Sequence, residues 1–206
     1  MFTSIPSLDS VLQCLLPAFT QPSFQTHIEV LLGWVMCLSK RTEYGVFQTI
    51  QADTPVSRKE RHPFDRFYNF FSRSAWIVRD LAHQVAVAVV VQLNPCGLLY
   101  LVVDDTLLHK RGKNVYGFGW FRDAVASTAK RVATASGNHW VVVGLAICIP
   151  GTTKIYCLPI HAMLHLASKN QKSEATLAKE MLRDILDWFP DRKLVVIVYR
   201  SRNWSW

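Results

Sequence analysis

The chain has little acid, no closely spaced pair of cysteines and no long apolar run, and each shortage narrows what it can be. Its 206 residues carry 15 Asp and Glu against 23 Lys and Arg, a formal net charge of +8. That balance disfavours an acidic-surface role and suits nucleic acid or another polyanion as partner. The five cysteines, Cys14, Cys37, Cys96, Cys148 and Cys157, include no CxxC pair. An odd count without metal-ligand spacing predicts reduced, buried thiols in a cytoplasmic protein. The longest apolar run, Val85 to Val91, falls far short of the roughly 20 residues that cross a bilayer. Asp80, His83 and Gln84 beside it argue further against a membrane role. The opening MFTSIPSLDS has no cationic region before an apolar block, so a secretory signal is not expected. Internal repeats and low-complexity blocks are absent.

Two regions of different character follow one another. Residues 1–95 read as mainly helical. Ile28 to Leu38 has apolar residues on most sides and predicts a buried helix. Pro55 to Pro63 is a charged linker flanked by prolines. Phe64 to Phe71 places Phe64, Phe67, Tyr68 and Phe71 at helical spacing, and a third helix is expected from about Ser74 to Leu93. Asn94-Pro95-Cys96-Gly97 marks the boundary. Residues 96–198 are richer in β-formers. Leu98 to Val103 has no internal polar residue and suits a central strand. Trp140 to Ile149 and Lys154 to Leu166 are two more strands, joined as a hairpin by Gly151-Thr152-Thr153. Ser173 to Phe189 is a helix that Ser173 can cap, with Leu177, Met181, Leu182, Ile185 and Trp188 as its apolar stripe. Pro190 stops it, and Leu194 to Val198 is a fourth strand. A helix between the third and fourth strands is what a crossover to a parallel neighbour requires.

The chemistry concentrates in Leu98 to Lys113, LLYLVVDDTLLHKRGK. An apolar strand runs into Asp104 and Asp105, and a carboxylate held there suits a hard cation such as Mg²⁺. Strand alternation puts the two on opposite faces, so only one of them can face a metal; the competing reading for either is a strand-end carboxylate that caps a turn or pairs with Arg. Six cations and one Asp lie between Thr106 and Trp140. Lys110, Arg111, Lys113, Arg122, Lys130 and Arg131 could line a phosphate-binding face, interleaved with Tyr116, Phe118, Trp120 and Phe121. The competing reading is a long solvated loop with an aromatic anchor. Arg58, Lys59 and Arg61 in the linker are further cations that could touch DNA. His161 and His165 stand four apart, but in a strand, where core or edge histidines are expected rather than a zinc pair. His109 and His139 read as loop histidines able to reach phosphate. Ser127, Thr128 and Ser136 have no evident His–Asp partnership, and Gly112, Gly117 and Gly119 do not make a phosphate loop.

The strand, strand, strand, helix, strand order with an Asp on the first strand resembles the ribonuclease H-like core of DDE transposases. VDDTLLHKRGKNVYGFGWFRDA and ATASGNHWVVVGLAI are similar to the DDE superfamily endonucleases of bacterial insertion sequences, and FDRFYNFFSRSAW resembles the helical segment preceding their core. The resemblance spans residues 28–198. It implies an α/β fold: a ribonuclease H-like core after a mainly helical amino-terminal region that could itself bind DNA. It implies DNA cleavage and strand transfer at transposon ends, with Mg²⁺ or Mn²⁺ held by three carboxylates. Asp105, which precedes Thr106, matches the first of these and Asp104 is second choice. The partners implied are DNA, and a second copy or an intact transposase, in the bacterial cytoplasm at the nucleoid. The second carboxylate should end the fourth strand, yet KLVVIVYRSRNWSW contains none. The core is therefore expected to be incomplete and inactive, with weak or absent metal binding. Residues 199–206 are expected to be an atypical tail produced by a frameshift or early stop.

Overall fold

A computed structural model describes residues 8–38, 42–53, 64–94, 96–112, 114–128, 130–149, 151–166 and 172–198. The linker with Arg58, Lys59 and Arg61, together with Lys113 and the segment from Tyr199 to Trp206, lies outside the described residues. The chain divides into two compact units between Gln84 and Val85.

The first unit is helical. It comprises α1 (Leu8–Gln13), a 3-10 turn at Leu16–Ala18, α2 (Gln21–Met36), α3 (Glu43–Asp53), α4 (Phe64–Ser72) and the start of α5 (Val78–Leu93). Its core is aromatic: Val30, Phe67 and Phe70 are buried, with Phe19, Phe47, Ile50 and Trp76 packed against them. Trp76 stacks on Phe70 at 5.5 Å and donates its indole N–H to the Phe70 carbonyl at 2.8 Å. Arg66 donates to Thr26 Oγ1 at 2.8 Å and pairs with Glu29 at 3.1 Å, tying α4 to α2. Gly33 permits α2 and α3 to approach closely, since a Cβ there would stand 2.6 Å from the Ile50 side chain.

Two helix expectations need correction. The helix expected at Ile28–Leu38 begins at Gln21, and its carboxyl end is not buried: Trp34, Val35, Met36 and Leu38 are exposed. Only the side carrying Phe24, Val30 and Gly33 is covered. In α4 the buried pair is Phe67 and Phe70, while Tyr68 and Phe71 are exposed. An aromatic helix offers several plausible stripes, and Trp76, arriving from beyond the helix, selects the one containing Phe70.

The second unit is an α/β sheet unit. Its strands are β1 (Leu99–His109), β2 (Gly119–Arg122), β3 (Thr134–Cys148), β4 (Ile155–His165) and β5 (Leu194–Val198), with α6 (Glu174–Trp188) between the last two. β3 is the spine. β1 pairs along one edge, antiparallel, while β2 and then β4 pair along the other. β5 lies parallel to β1 on its far side. The order β4-β3-β1-β5, with α6 crossing between the outer strands, is that of a ribonuclease H-like core. The fold is α/β with this core following a helical region, as the resemblance implies.

α6 forms for local reasons. Ser173 Oγ accepts the Thr176 N–H at 3.2 Å, and Leu177, Met181 and Ile185 form a buried stripe. That stripe closes the core over Leu99, Leu101 and Val103 of β1 and Val141, Val143 and Leu145 of β3, and Ala86 and Val90 of α5 complete the cluster.

The first strand is longer than expected. Instead of ending at Val103 it runs through both aspartates to His109, because β3 continues to pair with it as far as Gly137. The strand that stops near Val103 is β5, whose last paired residue is Val198. The stretch read either as a phosphate-binding face or as a long solvated loop contains β2, which pairs Gly119 to Arg122 with Gly137 to Thr134.

The cysteines are all free, but only Cys37 is buried. Cys96, Cys148 and Cys157 are exposed. Cys96 and Cys148 line an apolar groove with Leu98, Tyr100, Val102 and Ile155, on the sheet face away from α6. The expectation of buried thiols fails because no described element covers that face. Among the described residues, no helix is long and apolar enough to cross a membrane.

Candidate active site

Three neighbouring strands each carry an inward apolar row that ends in a polar residue. On β1 the row Leu99, Leu101, Val103 is followed by Asp105, and on β3 Val143 and Val141 are followed by His139. On β4 the row is interrupted by buried His161 and runs through Met163 to His165, directly opposite His139 in the ladder. Glu174, the first residue of α6, reaches the same place from above. Period-two alternation therefore brings a carboxylate and two imidazoles to one edge of the core, where the helix cap adds a second carboxylate.

His139 is the centre of this group and is 4% exposed. Its Nε2 lies 2.8 Å from Asp105 Oδ2. Its Nδ1 lies 3.2 Å from Glu174 Oε1 and 3.4 Å from His165 Nδ1. Phe121 of β2 packs against both rings, at 5.0 Å from His139 and 5.8 Å from His165. Burial pushes the Glu174 carboxyl up, an effect opposed by a charge on His139 and reinforced by Asp105. Burial lowers the His165 pKa, and His139 beside it adds to the effect.

Asp104 points the other way, as alternation requires. It is exposed, and its Oδ1 accepts the Asp105 N–H at 2.9 Å. Partial burial raises its pKa despite that hydrogen bond. Of the two aspartates, only Asp105 belongs to the cluster.

The expected cations gather at the end of the sheet where β1 finishes. Lys110 follows β1, and its N–H reaches the Ser136 carbonyl at 3.2 Å. Arg111, Lys130 and Arg131 are exposed, and Arg122 is half-buried on β2. Of the interleaved aromatics, Tyr116 and Trp120 are exposed. Asp123 organises the turn between β2 and β3. It accepts the Val125 and Ala126 N–H groups, each at 3.0 Å, and meets His109 at 2.9 Å. The Ala126 hydrogen bond leads the interactions that hold its carboxyl below the usual range, and His109 adds to them.

The SGNHW text mostly builds this frame. Ser136 Oγ donates to the Lys110 carbonyl at 3.2 Å, and buried Asn138 donates to the Tyr116 carbonyl at 2.7 Å. A Cβ on Gly137 would run into the Leu108 carbonyl oxygen, so only glycine fits between the strands there. His161 is a core histidine, with Nε2 at 3.1 Å from Asp184 Oδ2 and its ring stacked on Trp188. The sequence alone presents His139 and His165 as separate loop and strand histidines and does not single out Glu174. The signal that joins them is the polar residue closing each apolar row.

The oxygen donors do not complete a cage for Mg²⁺, which binds oxygen in near-octahedral geometry. Asp105 Oδ2 is engaged by His139, and Glu174 connects to Asp105 through that ring rather than directly. Among the described residues this cluster of two carboxylates and two imidazoles does not by itself make the two-cation arrangement that the resemblance implies.

No curated protein and no solved structure matched the chain. A family model described as DDE superfamily endonuclease matches residues 14–198, taking in both the helical region and the sheet through its last described strand. With that match over nearly the whole chain, and a ribonuclease H-like strand order carrying Asp105 on its first strand, the protein belongs to the DDE superfamily endonucleases.

Proposed function

We propose that this chain is the amino-terminal part of a bacterial insertion-sequence transposase, that it binds DNA, and that these 206 residues do not cut DNA alone. The observation that carries the reading is the position of Asp105. It stands on the central strand, just beyond the point where parallel β5 ends, in a chain of the DDE endonuclease family. Intact relatives of this kind would use Mg²⁺ or Mn²⁺ at that position for phosphodiester cleavage and strand transfer. Here the sequence offers Asp105 as the first metal ligand but no Asp or Glu after Asp191. Lys110, Arg111, Lys113, Arg122, Lys130 and Arg131 supply the backbone contacts that hold DNA without reading its sequence. The protein works in the cytoplasm, at the nucleoid.

Binding and cleavage are tested together on DNA carrying transposon ends. Affinity should fall steeply with salt. Replacing Lys110, Arg111, Lys130 and Arg131 with Ala should reduce the slope by about 0.9 for each phosphate left without its cation. No nicking is expected with Mg²⁺ or Mn²⁺. Salt-independent or absent binding would refute the DNA reading. Nicking that disappears in Asp105→Ala would refute the inactivity.

A second reading is favoured by the exposure of Val195, Val196 and Ile197 on β5. An apolar strand paired on one side can join another core, making this a non-catalytic DNA-binding or oligomerisation module that inhibits an intact transposase. Co-expression with a full-length relative decides it: transposition should fall, and should recover when Ile197 is replaced by Lys.

A further inference from the structure

We propose that His139, His165 and Glu174 form a binding site for one zinc ion. Three atoms converge: His139 Nδ1, His165 Nδ1 and Glu174 Oε1. The two nitrogens are 3.4 Å apart, and the carboxylate oxygen lies 3.2 Å from one and 3.9 Å from the other. Two ligands bound to tetrahedral zinc at 2.0–2.1 Å stand about 3.3 Å from each other. The triangle has a centre about 2 Å from every corner. An ion placed there lies in the plane of the three donors, and closing the 3.9 Å edge would let it rise toward tetrahedral geometry.

The tautomer of His139 supports the same assignment. An ionised carboxylate only accepts hydrogen bonds, so the 2.8 Å contact to Asp105 Oδ2 places a proton on Nε2. Nδ1, the corner atom of the triangle, faces the Glu174 carboxylate at 3.2 Å, and a cation between them would take the place of a shared proton. An imidazole that gives one N–H to a carboxylate and offers its other nitrogen to a cation is the usual supported ligand of a zinc site. Asp105 is thus a positioning residue for His139, and its partner ring is held in register by the direct pairing of His139 with His165.

Two ring nitrogens and a carboxylate oxygen meet at the buried edge of a core, all within 4.8 Å of one another. Two imidazoles with one carboxylate suit Zn²⁺ far better than Mg²⁺, whose preferred donors are all oxygen. Three protein ligands leave a fourth position for water.

The inference does not depend on DNA cleavage, and its test involves no DNA. Full-length protein is stripped with a chelator and titrated with Zn²⁺, and separately with Co²⁺ as a coloured probe. One equivalent should bind, Co²⁺ should give the visible absorption of a low-coordinate site, and excess Mg²⁺ should not displace either ion. His165→Ala and Glu174→Gln should each weaken binding by about tenfold or more, while Cys157→Ser should leave it unchanged. X-ray absorption of the zinc-loaded wild type should show two imidazole nitrogens and no sulfur, a readout independent of whether the variants fold. Sulfur in the coordination shell, absence of stoichiometric uptake, displacement by Mg²⁺, or unchanged affinity in both variants would overturn the proposal.

Discussion

Replacing His139 with Ala removes the ring that joins Asp105 to Glu174. The wild-type contacts are 2.8 Å and 3.2 Å, with side-chain exposures of 5% for His139, 14% for Asp105 and 22% for Glu174. Leaving a buried carboxylate without its hydrogen-bond donor costs about 1–3 kcal/mol, and more when the carboxylate is charged. Asp105 is the less exposed of the two carboxylates that lose the ring, which puts the expected loss at about 3 kcal/mol. For a chain of this size that corresponds to a fall in Tm of roughly 6–12 °C. The assay is thermal and urea unfolding in the presence of a chelator, so that no bound cation contributes. Asp105→Asn and the double variant complete a thermodynamic cycle. Because the two groups touch, the effects should be non-additive by about 1–3 kcal/mol. A fall in Tm below about 2 °C, or additivity within about 0.5 kcal/mol, would refute the reasoning that His139 is the organising contact.

Other expectations follow from separate parts of the molecule. His27 stacks on Phe19 at 4.6 Å, its Nε2 has no hydrogen-bond partner among the described residues, and burial lowers its pKa below 6.5. The unfolded chain therefore binds more protons just below pH 6.5, so stability should rise with pH through that window and His27→Phe should flatten the rise; an unchanged slope would count against it. Met181 is fully buried in α6 while Leu186 on the same helix is exposed. Met181→Ala should cost about 2–5 kcal/mol in urea unfolding and Leu186→Ala less than about 0.5, and the reverse order would show the stripe to be wrong. Ile197→Lys should reduce self-association measured by light scattering without lowering Tm, and unchanged scattering would clear β5 of that role.

Helix α6 is legible almost to its ends because its signals are local. Ser173 caps its own helix, Pro190 follows the end, and Leu177, Met181 and Ile185 repeat along one side. The β3–β4 hairpin is legible for the same reason, since apolar runs flank a short turn. β1 reads as too short because its extent is set by β3, 28 to 38 residues away in sequence at the pairs Asp104–Val142 to His109–Gly137, and nothing local announces that pairing. β2 escapes because four residues offer too little alternation to separate a strand from a loop. At the site, alternation alone assigns the adjacent aspartates to opposite faces, and they are so placed. The cluster around His139 needs the register of three strands and the approach of α6, and Glu174 in particular carries no sign in its own neighbourhood. Tyr68 and Phe71 mislead because aromatic residues at helical spacing reveal that a side is buried without revealing which.

The tight fit of Gly137 against Leu108 and the hold of Asn138 on Tyr116 have an evolutionary corollary. These letters of the signature answer to chain geometry, so selection for a stable sheet preserves them whether or not the nuclease works. Altering either residue would therefore be felt first as a weakened sheet, before any question of chemistry arises.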